Sequence, residues 1–133
     1  LQEAYDYLKN EIGAEKIGII GWCLGGKWSL KASLMLPTEI DASVIYYGSL
    51  TDDKERLETL EMPIIGFVGT KDRLHKQFIQ FDEDLKGLNK EASIHFYEGA
   101  KHAFANASGG AYESNAAEDS WKKTVDFLDK HLN

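Results

Sequence analysis

The chain has 133 residues, 43% hydrophobic and 28% charged, with a formal net charge of −7, the size and balance of one globular domain with a real core. Twenty-two acids against 15 scattered Lys and Arg exclude a nucleic-acid partner, whose phosphates demand a basic face, and no apolar run reaches the ~18 residues of a membrane helix. One cysteine makes no intrachain disulfide, which fits a reducing cytoplasm, and the four histidines, at 75, 95, 102 and 131, show no metal-site spacing.

The first segment, LQEAYDYLKN, lacks the basic start and apolar block of a secretory signal. It also lacks an initiator methionine, so the chain reads as part of something longer. Leu1, Tyr5, Leu8 and Ile12 recur at helical spacing, and Gly13 follows as a stop. KIGIIGW (16–22) reads as a strand, KWSLKASLML (27–36) as a helix ending before Pro37, and ASVIYYG (42–48) as a second strand. KERLETL (54–60) is a short helix and PIIGFVG (63–69) a third strand. Phe78, Phe81, Leu85 and Leu88 stripe a helix over 76–89, and SIHFYEG (93–99) is a fourth strand. ANASGGAYES (105–114) reads as one long loop, and Trp121, Val125, Leu128 and Leu132 line a final helix. Trp22, Trp28 and Trp121 read as packing residues, and His75 and His95 as surface or packing residues.

Strands alternating with helices predict an α/β domain, a mostly parallel four-stranded sheet flanked by helices. Right-handed crossovers make every strand run the same way, so the loops that follow the strands collect at one edge, where open α/β sheets bind ligands. Three of those loops carry reactive side chains: Cys23 after the first strand, Asp72 after the third, His102 after the fourth. Nucleophile, acid and base in that order suit nucleophilic hydrolysis. A thiolate attacks a carbonyl, an imidazole takes and returns the proton, and a carboxylate fixes the imidazole tautomer. The glycines of GWCLGG (21–26) explain the turn around the thiol. On a sharp strand-to-helix elbow, Gly21 and Gly25 would remove clashing side chains, and Gly26 would let the helix start close to the sheet. The elbow sets Cys23 at a helix N-terminus, an environment that lowers a thiol pKa from ~8.5 toward about 3.5–7.5. It also leaves the Leu24 N–H free to donate to an oxyanion.

GWCLGG, YYG, GTKD and GAKHAF, followed by AYESNAAEDSWKKTVDFL, resemble the dienelactone hydrolase family from about Lys16 to the C-terminus. The resemblance implies an α/β-hydrolase fold of which residues 1–133 form a single domain, the C-terminal, triad-bearing portion. It implies Cys23 as nucleophile, Asp72 as acid, His102 as base and Leu24 as an oxyanion donor. Tyr46, Tyr47 and Asn106 would lie at the substrate, with no cofactor and no metal. Asn106 stands where members that hydrolyse dienelactone carry a carboxylate-binding arginine. Lys101 stands where the family often has glycine, and the proline that often follows the acid is missing from KDRLHKQF. The family's first half, expected outside this chain, supplies several strands, a second oxyanion donor, a glutamate that contacts the resting thiol and a further arginine. Without that glutamate the thiolate is expected to be favoured further.

The reaction so implied is hydrolysis of a small ester or lactone through a thioester on Cys23. A truncated hydrolase half acting as a self-association or binding module is the rival reading. A thiol redox sensor is a third, weakened by the absence of a second cysteine. The apolar first strand would lack its neighbour in this chain, which predicts a homodimer or association with the missing N-terminal half.

Overall fold

The computed structural model describes all residues, Leu1–Asn133. The elements in chain order are α1 (Gln2–Asn10), β1 (Gly18–Trp22), α2 (Leu24–Met35), β2 (Ala42–Tyr46), α3 (Lys54–Glu58), β3 (Ile64–Gly69), α4 (His75–Gly87), β4 (Ala92–Tyr97) and α5 (Ser114–Leu132). The four strands form one parallel sheet in the order β1-β2-β3-β4. The expected α/β architecture is present, and sequential strands are spatial neighbours. β1 pairs with β2 alone and is therefore an edge strand.

Alternation along the strands gives the sheet two faces. Ile45, Ile64 and Val68 point into an aliphatic core with Leu30 and Leu36 around α2, Leu57 of α3, and Phe78, Phe81 and Leu85 of α4. Val44, Tyr46, Ile65 and Phe67 point the other way, into an aromatic core with Phe104, Ala116 and the partly buried Phe127 and Leu128 of α5. β2 and β3 are buried throughout, as central strands covered on both faces are. Just before β1 and β2, Asp41 and Ile17 exchange hydrogen bonds: the Asp41 N–H donates to the Ile17 carbonyl at 2.8 Å, and the Ile17 N–H to Asp41 Oδ2 at 2.8 Å.

Several expectations need correction. α2 starts at Leu24, directly after Cys23, and not at residue 27. β2 ends at Tyr46, because Tyr47 turns out of the strand with φ 33°. α1 has the expected spacing but buries none of its residues; Leu8 and Ile12 are exposed. α5 turns a different face inward: Ala116, Ala117, Ser120 and Thr124 are buried while Trp121 and Val125 face solvent. Small residues let that helix lie close to the sheet. Their hydroxyls are satisfied locally, Ser120 Oγ donating to the Ala117 carbonyl and Thr124 Oγ1 to the Ser120 carbonyl. Trp22 and Trp28 are likewise exposed, though Trp22 stacks on Tyr46 at 5.2 Å between ring centroids. No helix is long and apolar enough to cross a membrane.

Candidate active site

Cys23 sits at the N-cap of α2 with φ 55° and ψ −121°, a conformation that side chains rarely adopt. Of the four non-glycine residues with positive φ, three border this edge of the sheet: Cys23, Tyr47 and Ala103. Strain concentrated where loops converge is a mark of a functional site. The elbow closes because two glycines let backbones touch. A Cβ on Gly21 would lie 2.1 Å from the Gly25 carbonyl oxygen, and one on Gly26 would lie 2.5 Å from that of Tyr46. Gly25 itself departs from the expectation: a Cβ there would meet nothing within 4 Å, and what matters is its carbonyl under Gly21. Leu24 opens the helix, so its N–H has no partner within it.

Asp72 and His102 meet, although thirty positions separate them. His102 Nδ1 lies 2.7 Å from Asp72 Oδ2. A carboxylate only accepts, so Nδ1 carries the proton and Nε2 is the free nitrogen. The other oxygen, Oδ1, accepts from the Leu74 N–H at 2.8 Å. Asp72 is 5% exposed, and both of its oxygens are thus engaged. The His102 ring packs edge-on against Tyr47 at 5.2 Å, and Tyr47 in turn against Phe104 at 5.2 Å.

Cys23 borders two cavities. One, of about 180 Å³, is lined by Cys23, Leu24, Tyr47 and His102 together with Lys27, Ser49, Arg73 and Leu74. The other, of about 380 Å³, lies toward Trp22 and Asn106. Cys23 and His102 share a cavity, but no hydrogen bond joins them. The half-buried thiol is pushed up, first by desolvation and then by the Asp72 carboxylate. The direction is opposite to the expected lowering: burial disfavours the thiolate, and the Asp72 carboxylate adds to it. Burial, and then Cys23, also push the Tyr47 hydroxyl up, so it stays a neutral phenol.

Of the remaining expected residues, Tyr47 lines both cavities. Tyr46 lines neither cavity: its carbonyl accepts from the Cys23 N–H at 3.1 Å, but its hydroxyl is 2.8 Å from Thr124 Oγ1 and its ring is packed between Trp22 and Phe67. Asn106 lines the larger cavity, with its Oδ1 accepting from the Ser108 N–H at 3.0 Å. His75 packs on Phe96, and His95 stacks on Phe67 at 5.5 Å, where burial lowers its pKa. Sequence reasoning missed Lys27, Ser49 and Arg73. Two had a signal: Lys27 is one helical turn past Cys23, and Arg73 follows Asp72 directly.

A family model described as the dienelactone hydrolase family matches residues 1–132, extending the likeness through α1. A carboxymethylenebutenolidase of Pseudomonas putida is 30% identical over 115 residues, covering 85% of this chain and 48% of the relative. Protein usf of Aquifex pyrophilus is 31% identical over 136 residues, covering 96% of this chain and 57% of the relative. A solved dienelactone hydrolase-like promiscuous phosphotriesterase from metagenomic libraries superposes with a TM-score of 0.85 at 19% identity, covering 99% of this chain and 60% of that one. The chain spans about half the length of the curated relatives it matches.

Proposed function

We propose that this chain, which belongs to the dienelactone hydrolase family, is the C-terminal, triad-bearing portion of a carboxylic ester hydrolase acting on small esters or lactones. The observation that carries the reading is the 2.7 Å Asp72–His102 pair at the cavity that Cys23 lines. The names of the relatives, carboxymethylenebutenolidase among them, support the same class.

Cys23 Sγ attacks the substrate carbonyl carbon while His102 Nε2 takes the thiol proton. The carbonyl π pair moves onto oxygen, and the Leu24 N–H donates to that oxyanion. The oxyanion collapses to a thioester as His102 returns the proton to the leaving alkoxide. Water, deprotonated by His102, then hydrolyses the thioester and regenerates the thiol. Asp72, held by the Leu74 N–H, orients the imidazole throughout. Tyr47 and Asn106 would border the bound substrate from the larger cavity.

The test is turnover of a panel of short esters and lactones by the purified chain beside Cys23→Ala. Cys23-dependent hydrolysis supports the reading, and equal rates for both proteins overturn it. One observation favours a second reading, an association module: β1 has an unpaired edge with no proline or charge within GIIGW to blunt it. A second copy, or the part of the relatives that lies outside this chain's match, would complete the sheet and could bring another oxyanion donor. Sedimentation at micromolar concentration tests it, a monomer without turnover leaving neither reading standing.

A further inference from the structure

Charge is segregated around Cys23 in a way the hydrolytic chemistry does not require. The 180 Å³ cavity holds Lys27 and Arg73 on its walls. A second cavity of about 100 Å³ adjoins it, sharing Lys27 and Ser49, and adds Lys31, Arg56 and Thr51. No Asp or Glu lines either cavity, in a chain with 22 acids and 15 bases. None of the four cations has a carboxylate within ion-pair distance. Lys31 instead sits over the Trp28 ring at 4.8 Å. The nearest carboxylates are engaged or lie outside the two cavities: Asp72 is held by His102 and Leu74, Asp53 accepts from the Arg56 backbone N–H at 3.4 Å, and Asp52 lines a neighbouring cavity beyond Thr51.

The spacing sets a length. Lys27 and Lys31 lie four and eight residues after Cys23, the first two turns of α2. At 1.5 Å per residue they stand roughly 6 and 12 Å along the helix axis from the nucleophile. Lys27 shares the Cys23 cavity and Lys31 lines only the adjoining one, so an anionic group that reaches Lys31 is several bonds from the reacting carbonyl.

We propose that Lys27, Lys31, Arg56 and Arg73, with the Ser49 and Thr51 hydroxyls, form an elongated anion subsite that selects esters carrying a phosphate or carboxylate several bonds from the scissile carbonyl. The proposal rests on the ester-hydrolase reading for its reaction but not for its binding. Arginine presents a planar donor fork to two oxygens, and lysines and hydroxyls supply the remaining donors, a set suited to a phosphate dianion more than to a single carboxylate. The cations also raise the local concentration of an anionic substrate at Cys23, an effect that salt weakens.

The test uses matched p-nitrophenyl esters whose acyl chains end in methyl, carboxylate or phosphate, with the wild type and Lys31→Gln/Arg56→Gln. Both residues are exposed, so the fold should survive. The readout is the ratio of kcat/KM for the anionic ester to that for the neutral one. Exposed ion pairs are worth up to about fivefold each. The wild type is therefore expected to prefer phosphate over carboxylate over methyl, with a phosphate ratio of about ten or more that falls several-fold in the double variant, where Lys27 and Arg73 remain, and toward one at high salt. A ratio near one in the wild type, or a ratio unchanged in the double variant, overturns the subsite. A carboxylate ester outperforming the phosphate ester keeps the subsite and removes the dianion. A non-hydrolysable phosphate-tailed amide titrated against Cys23→Ala separates the two ideas. Saturable, salt-sensitive binding that the double variant weakens, with no ester turned over by the wild type, sinks the hydrolase reading and retains the subsite. Absent binding sinks the subsite even if neutral esters turn over.

Discussion

β3 leads to the acid of the candidate site and β1 to its nucleophile, and the two strands are supported very differently. β3 is paired on both sides, buried at every position and covered by α4 on one face and α5 on the other. It leads directly into Asp72, whose carboxylate is fixed by Leu74 and His102. β1 is paired on one side, only partly buried, and ends in the strained elbow at Cys23. The acid therefore hangs from a fully buried central strand and the nucleophile from an edge strand, while the base, His102, follows β4, the other edge strand. Anything that pairs with the free edge of β1 acts on Cys23 first and on the Asp72–His102 pair hardly at all.

The largest effect would show whether nucleophile and base work together. Cys23→Ala and His102→Ala should each lower kcat by roughly 10⁴-fold or more, and the double variant should lose little beyond either, because members of one catalytic unit are not additive. Losses that multiply would separate the two. Next, stability should follow the support. Phe78, fully buried in the core against β3, should cost about 3–5 kcal/mol as Ala, whereas the half-buried Ile20 of β1 should cost only ~1–2 kcal/mol. Urea denaturation compares them, and equal losses would remove the contrast.

A smaller effect concerns the thiol. Desolvation and Asp72 push Cys23 up, so the iodoacetamide rate should rise with pH through an inflection above the ~8.5 of a free cysteine. Asp72→Asn should bring that inflection down by removing the nearby negative charge. The linkage has a definite sign. A thiol with a raised folded pKa holds its proton more tightly in the fold, so its stabilising contribution is complete below the unfolded value and is lost as pH rises through the folded one. An inflection below 8.5 would show that the helix N-terminus wins after all. The smallest effect is a control on α5: Trp121→Ser, on its exposed face, should change stability by no more than about 0.5 kcal/mol.

Local pattern was enough for the strands, because β-type runs such as IIGFVG, bounded by Pro63 and the turn residues TKD, leave few alternatives. Helix faces were less legible. In α5 the apolar spacing favoured Trp121 and Val125, yet the sheet accepted Ala117, Ser120 and Thr124. Hydrophobic spacing identifies which residues share a stripe but not which stripe a neighbour can approach closely. Tyr46 and Tyr47 were a similar case. Strand alternation put one of them in the core, but a turn at Tyr47 buried both, one under the sheet and one on the wall of the cavity that Cys23 and His102 also line.

Residue identity and order alone determined that an elbow follows the first strand and that parallel strands gather Cys23, Asp72 and His102 at one edge. These follow from short-range sterics and the handedness of the crossover, which act through neighbouring residues and need no knowledge of the final packing. Tertiary structure alone decided three other matters: the bond between Asp72 and His102, the cations around the thiol, and the direction of its pKa. Each depends on distances between groups far apart in the chain and on how much water remains between them. Coulomb energy and desolvation are functions of that spacing, and no run of neighbouring residues encodes it.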